Sequence, residues 1–329
     1  MYRRRYTTGM LRYGSVLRSA SALFLLPLLA VQPALAWGPD GHKLINRLAG
    51  AALPPDVPEF LRSPEGLNAL EYFGPEPDRW RSKNEPELNA AQAPEHFIDL
   101  EWADMAGPLP RNRYDFVRAL AVAQAAHPDI PLTVEKVGLQ PWVTDEVYQR
   151  LKAAMREYRG LKAAGGDTKP VECEIVFLAG WLGHYVGDGS MPLHTTIQYN
   201  GWTGPNPNGY TTEHTIHALF ESVYVAANVK IADVAPLVEP QPKLLTDVFT
   251  EYVAYLRHSH TLVEKTYELE KAGAFTGAGT PEGKVMIDRQ LAAGATELRN
   301  MIYTAWIRSA DPVPAYHPDE PAPAKKPAA

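Results

Sequence analysis

Apolar residues recur at helical spacing through most of this chain, and alternating strand-like runs with hairpin turns are scarce. Asp40 to Leu53 reads as a first helix, ended by Pro54-Pro55. Asp115 to Ala126 has apolar residues at helical spacing and stops before Pro128. Thr144 is the expected N-cap of a helix running through Tyr158. Val171 to about Val186 is apolar and reads as buried, and Thr212 to about Val229 follows a Gly/Pro/Asn loop. Leu244 to Tyr267 and Pro281 to Ile307 read as two long amphipathic helices. The Pro-rich connections between Pro54 and Pro110 are expected to be long and irregular, and long ordered loops in a compact domain tend to be functional. No internal repeat is visible. The pattern predicts an all-α, single-domain, multi-helix bundle.

The two ends depart from this pattern. Arg3, Arg4, Arg5, Arg12 and Arg18 precede an apolar stretch, Ala22 to Val31, and then Ala34-Leu35-Ala36. That is the layout of a secretory signal peptide over residues 1–36, with too short an apolar run to span a bilayer. Residues 37–309 are the expected catalytic domain. Residues 310–329, rich in Pro, Ala and Lys, are expected to be a disordered tail. The expectation is an exported protein, periplasmic or extracellular, with no stable membrane insertion and no protein partner implied.

Removal of the leader leaves 27 Lys and Arg against 38 Asp and Glu, a formal charge of −11. Generic polyanion-binding surfaces are basic, so this counts against capture of phosphates by a broad patch. Bound divalent cations can reverse the balance locally. Cys173 is the single cysteine, which excludes an internal disulfide and a Cys-based zinc site. Any metal ligands must be His, Asp and Glu.

The densest chemistry lies in Gly183-His184-Tyr185-Val186-Gly187-Asp188-Gly189-Ser190-Met191-Pro192-Leu193-His194. On a helix, His184 and Asp188 project from one face. His217 and Glu221 form a second pair at the same spacing. Imidazole and carboxylate suit zinc, with bonds of roughly 2.0–2.2 Å. Each pair alone is as readily a surface ion pair or a satisfied core hydrogen bond. Cleavage after Ala36 would also expose the Trp37 amine, with His42 five residues behind it. Such an amine has an unperturbed pKa of roughly 7.7–8.0 and can be neutral and ligate a metal.

These residues together resemble the trinuclear-zinc, single-strand-specific nucleases. The mature start Trp37-Gly38-Pro39-Asp40-Gly41-His42, the segment His96-Phe97-Ile98-Asp99, the run from Gly183 to His194, and His217 to Glu221 are each similar to segments of that family. Bacterial zinc-dependent phospholipase C is the sister family, with the same fold type and most of the ligands. The resemblance touches points from residue 37 to about 225. It implies three Zn²⁺ sites. One would use Asp78, His96, His184 and Asp188. A second would use the amine and carbonyl of Trp37 with His42 and share Asp188. The third would use His194, His217 and Glu221. Glu76 is the alternative to Asp78. His214 is set aside because His217 has the correct spacing to Glu221. His127, His258, His260 and His317 have no matching partners. The chain departs from the nucleases in Glu221, where they have Asp and the phospholipases have Glu, and in lacking the cysteines of the fungal members.

What the resemblance implies chemically is phosphodiester hydrolysis. Two metals about 3.5–4 Å apart can generate a bridging hydroxide near neutral pH, and a third can take the charge on the leaving oxygen. Asp188 would carry the shared metal role in catalysis, and Arg81 would clamp the phosphate with two hydrogen bonds. Phe97 would stack on a base and Asp99 would bond its edge, as single strands are gripped. Equally, Phe97 can be core and Asp99 can orient a ligand histidine. The loop Thr195 to Thr212, with Tyr199, Trp202 and Tyr210, is read either as a second stacking platform or as a packed surface loop. The expected substrate is single-stranded DNA or RNA or a 3′-nucleotide. The alternatives are a phospholipase C acting on phospholipid headgroups and a non-catalytic zinc-binding domain.

Overall fold

The computed structural model describes residues 37–313; the leader expected over residues 1–36 and most of the Pro/Ala/Lys tail lie outside them. The described residues are all-α. They contain no multi-residue strand, only isolated bridges between Ile98 and Gly138 and between Tyr199 and Gly201. No described helix is long and apolar enough to cross a membrane.

The helix Lys169–Ser190 is the axis of the bundle. It packs against Gln140–Ala164, Pro281–Arg308, Pro64–Phe73, Gly38–Ala51 and Val248–His260. Its second half is buried nearly all round, from Leu178 through Ser190 with only Trp181 partly exposed. A helix apolar on every face belongs in an interior, and here the interior also receives the His and Asp side chains of its last turns. The close approach of neighbouring helices depends on small residues. A Cβ on Gly183 would lie 2.0 Å from Asn46 Oδ1.

The caps explain several boundaries. Ser63, Asn112, Asp247 and Thr280 each accept a hydrogen bond from a backbone N–H of the turn that follows, which satisfies donors that a helix start leaves unpaired. Thr144 is not the cap expected from the sequence. Its helix begins at Gln140, with Pro141 in the first turn, and Thr144 Oγ1 donates to Gln140 O at 2.8 Å. The expected helix from Leu244 to Tyr267 is broken into Val248–His260 and Val263–Lys271. At the break, Thr261 Oγ1 donates to His258 O, so a side chain takes over a helix-end carbonyl.

The region between Pro54 and Pro110 is far more helical than its prolines suggest. It holds Pro64–Phe73, Glu76–Trp80, Pro86–Gln92 and Leu100–Ala103. Pro64, Pro77 and Pro86 occupy first turns, where proline has no hydrogen bond to lose, so they start helices and do not break them. The helix expected from Thr212 begins at Ile216 and passes through a π-helical turn, Leu219–Val223. Such turns are concentrated at functional sites, and this one carries Glu221.

Candidate metal centre

The site is assembled from six local structures. The helix Gly38–Ala51 supplies His42, Glu76–Trp80 supplies Asp78, and the 3₁₀ turn Ala93–His96 supplies His96. The central helix supplies His184 and Asp188, and His194 follows in the turn Pro192–His194. His217 and Glu221 come from the irregular helix beyond the loop. All eight side chains are buried. They form three groups that could hold a metal ion: His42, His184 and Asp188; Asp78, His96 and His184; and His194, His217 and Glu221.

The distances test the fit. Four ligands on one zinc at roughly 2.0–2.2 Å and tetrahedral angles lie about 3.3–3.6 Å from each other. Asp188 Oδ1 is 3.4 Å from His42 Nε2, while Asp188 Oδ2 is 3.3 Å from His96 Nδ1 and 3.5 Å from His184 Nε2. Asp78 Oδ1 is 3.9 Å from both His96 Nδ1 and His184 Nε2. Glu221 Oε2 is 3.1 Å from His217 Nε2 and 3.7 Å from His194 Nε2. Both oxygens of Asp78, Asp188 and Glu221, and Nε2 of His194, are buried without a hydrogen-bond partner. Glu221 has the ion pair with His217, but buried carboxylates with no such partner, as at Asp78 and Asp188, are costly unless a cation compensates them or they stay protonated. The donor set fits zinc.

Backbone carbonyls aim the imidazoles. His184 Nδ1–H donates to Gly74 O at 2.9 Å, His194 Nδ1–H to His96 O at 2.7 Å, and His217 Nδ1–H to Tyr199 O at 2.9 Å. Each bond fixes the tautomer that turns a bare Nε2 toward the cluster, as metal-ligating histidines require. His42 and His184 stack with ring centroids 4.0 Å apart.

Burial dominates the electrostatics. It raises the Asp78 carboxyl to about 8 against the attraction of Arg81, and it raises Asp188 well above the usual carboxylate range, helped by Asp78 and Glu221. It also depresses His96 and His184 well below the ordinary imidazole value, with neighbouring positive groups adding to it. The third group differs. Burial is the largest single influence on Glu221 and His217 and opposes ionisation of both, but their mutual attraction, together with His194 acting on Glu221 and the Tyr199 carbonyl on His217, outweighs it, so Glu221 is lowered and His217 raised.

A cavity of about 520 Å³ opens onto these groups. His96, His194 and His217 form its floor, and Arg81, Phe97, Asp99 and Tyr199 line it. Arg81 has its Nε buried without a hydrogen-bond partner. Asp99 is 6% exposed, and burial, with Glu101 adding, raises its carboxyl to about 8. Asp78, and not Glu76, faces the histidines; Glu76 pairs with Arg79. His214 is exposed and bonds Asn200 O, outside the groups.

Two tryptophans near the site are held by their own packing. Trp202 is not among the residues lining the cavity; its ring packs on Tyr210 and Tyr267 with centroids 4.8 and 5.2 Å away, and Nε1 donates to Pro205 O. Aromatic packing within the loop therefore claims the ring offered as a substrate platform. Trp37 has its side chain wholly buried, with Nε1 donating to Gly187 O at 2.7 Å and Ser190 Oγ at 2.9 Å. Its carbonyl accepts the Gly41 N–H at 3.1 Å, and its φ of 37° is left-handed, a conformation uncommon for a non-glycine residue. Trp102, Leu193, Ile197, Glu135 and Lys136 also line the cavity. Leu193 and Ile197 fall in segments the sequence marked, the run to His194 and the loop from Thr195, whereas Trp102, Glu135 and Lys136 sit in short turns whose spacing carries no periodic signal.

No protein-family model matches the sequence, and no curated protein matches it. Among solved structures, the chain is similar to the alpha-toxin of Clostridium perfringens from an avian strain, at 12% identity and a TM-score of 0.37, over 83% of this chain and 64% of that one. It is similar to the alpha toxin of Clostridium absonum at 13% identity and a TM-score of 0.38, over 84% and 67%. The chain thus spans 64% of the length of the first.

Proposed function

We propose that the protein is a zinc-dependent phosphodiesterase, acting on single-stranded nucleic acid or a 3′-nucleotide after export. One observation carries the metal-dependent hydrolase reading: the fully buried Asp188, whose two oxygens face different histidines and so suit a carboxylate shared by two ions. The amine and carbonyl of Trp37 would complete the set around His42. When bound, the ions supply positive charge to an otherwise acidic protein and lower the pKa of water.

The protein's own groups then divide the work. Arg81 can hold a phosphate oxygen pair from the cavity wall. Phe97 offers a ring face to an unstacked base. Asp99, with its carboxyl raised to about 8, can both donate and accept at a base edge at neutral pH. A duplex hides its bases, and flipping one out costs a few kcal/mol, so single strands are the expected substrate.

A second reading, phospholipase C activity on phospholipid headgroups, is favoured by the apolar side chains of Trp102, Leu193 and Ile197 in the same cavity. One comparison decides between them: rates on a single-stranded oligonucleotide, its duplex and phosphatidylcholine vesicles, at equal and measured zinc content. Single-strand cleavage that exceeds the others supports the nuclease. Faster lipid cleavage transfers the site to the second reading. Absence of bound zinc removes both.

A further inference from the structure

The helix that carries His184 and Asp188 is gripped at its C-terminal end by the face of another helix, Val248–His260. We propose that Tyr252, Tyr255 and Ser259 are positioning residues that fix the register of these two ligands; the proposal rests on the metal-centre reading above. Tyr252 Oη donates to Tyr185 O at 2.8 Å, Tyr255 Oη to Val186 O at 3.0 Å, and Ser259 Oγ to Gly189 O at 2.6 Å. The three donors are three and four residues apart and so share one helical face. Their acceptors bracket the ligands: Tyr185 and Val186 lie between His184 and Asp188, and Gly189 follows Asp188.

Space filling does not account for this arrangement. Tyr252 and Ser259 are each 1% exposed, and their hydroxyls end on carbonyls. The Gly189 carbonyl belongs to the last turn, where a helix leaves its carbonyls without internal partners. The Tyr185 carbonyl uses its spare lone pair and also accepts Gln140 Nε2–H at 3.1 Å. The glycine is part of the device. A Cβ on Gly189 would lie 2.7 Å from Tyr252 Oη and 3.0 Å from Tyr255 Cε1, so a larger residue would push the rail away.

The consequence is selective. A slide or rotation of the central helix end moves His184 and Asp188 together and opens the 3.4 and 3.3 Å spacings of Asp188 to His42 and His96. The His217–Glu221 pair stands on a separate element, and His194, in the turn after the central helix, is tied to another segment by its Nδ1–H bond to His96 O and by the Ile98 N–H that donates to its carbonyl. Loosening the rail should therefore weaken the two groups that use His184 and Asp188 and spare the third.

The test measures zinc affinity by stepwise competition with a chromophoric chelator, alongside circular dichroism and melting of the metal-free proteins. The variants are Tyr252→Phe with Tyr255→Phe, Ser259→Ala, and Ser259→Thr, which keeps a donor. Loss of outer hydrogen bonds to metal ligands typically costs about 10–100-fold in affinity, and that loss is expected for two ions only, with the third unchanged and Ser259→Thr restored. Uniform weakening of all the ions, or unchanged affinities in a folded variant, would overturn the proposal. If the double variant does not fold, the Ser259→Ala and Ser259→Thr pair decides by the same outcomes. A wild-type protein that binds no zinc defeats the metal reading and the proposal together; tight binding by wild type and variants alike defeats only the proposal.

Discussion

Replacing Asp78 by Asn should stabilise the metal-free protein near neutral pH and destabilise the zinc-loaded one. Burial raises the Asp78 carboxyl from 3.8 to about 8, against the attraction of Arg81. The folded metal-free chain therefore keeps this proton at pH 7, while the unfolded chain has released it. Between pH about 4 and about 8 the folded state binds more protons, so stability falls as pH rises through that window. At pH 7 the gap above 3.8 corresponds to about 4 kcal/mol, at 1.36 kcal/mol per pH unit. Asn has the same shape and no proton to hold, but its buried amide lacks partners, which returns about 1–3 kcal/mol of the gain. A net stabilisation of about 1–3 kcal/mol remains, or several degrees at roughly 2–4 °C per kcal/mol. The assay is thermal melting with a strong chelator at pH 4, 5.5 and 7.5, repeated with excess zinc. The advantage of Asn should vanish at pH 4, grow toward pH 7.5 and invert with zinc, because an amide is a poorer ligand than a carboxylate. A variant that melts below wild type at pH 7.5 without metal would show that Asp78 is ionised and compensated by the protein alone, and the reasoning would fail.

The remaining predictions address other parts of the site. Glu221→Gln should remove one zinc per chain and cost the metal-free fold about 3–5 kcal/mol by breaking a buried ion pair; unchanged metal content by elemental analysis would refute it. One extra residue ahead of Trp37 turns an amine into an amide, so that protein should bind less zinc and lose activity; full metal content and full turnover would exclude the amine as a ligand. Asp99 has its carboxyl raised to about 8 by burial with Glu101 adding, so KM for a nucleotide substrate should climb above that pH and stay flat in Asp99→Asn; a pH-independent wild-type KM would remove the role. Gly183→Ala places a Cβ 2.0 Å from Asn46 Oδ1 and 2.6 Å from Leu298 Cδ2, and overpacking of this kind costs about 1–3 kcal/mol, read as a lower melting temperature.

Helix existence was legible in the sequence wherever an apolar face repeated over several turns, as in the first helix, the central helix and Pro281–Arg308. The boundaries were not, because side-chain chemistry overrides periodicity there. Thr261 bonding His258 O ends one helix inside a continuous apolar stripe, and Pro141 begins another ahead of Thr144. Between Pro54 and Pro110 the prolines start short helices, and a proline reads the same to the eye whether it breaks a helix or begins one. The ligand pairs His184–Asp188 and His217–Glu221 were visible because four-residue spacing sets both groups on one face. The choice of Asp78 over Glu76 needed three dimensions. Two residues separate them in a single helical turn, so they face different ways, one toward the histidines and one toward Arg79. The packing of Trp202 was not legible either: an aromatic residue in a loop has no periodicity, and of its partners Tyr210 lies in the same loop while Tyr267 comes from the helix Val263–Lys271.

The charge states of the three groups imply an order of assembly. Where His184 and Asp188 meet, burial biases the imidazoles toward the neutral form and the carboxyls toward the protonated form, which lowers the charge that the metal-free groups must enclose. An entering zinc ion must displace those protons, so uptake there should release acid and strengthen steeply with pH. The third group is already an ion pair, with Glu221 lowered and His217 raised by their attraction despite burial. The pair can hold the π-helical turn before any metal arrives, at the cost of one imidazole proton when it does. A phosphodiester, itself anionic, would gain attraction from divalent ions held at Asp78 and Asp188. On this logic the acidic protein would draw phosphate to the cleft only through the divalent charge that these buried groups can hold, beside Arg81 in the cavity wall.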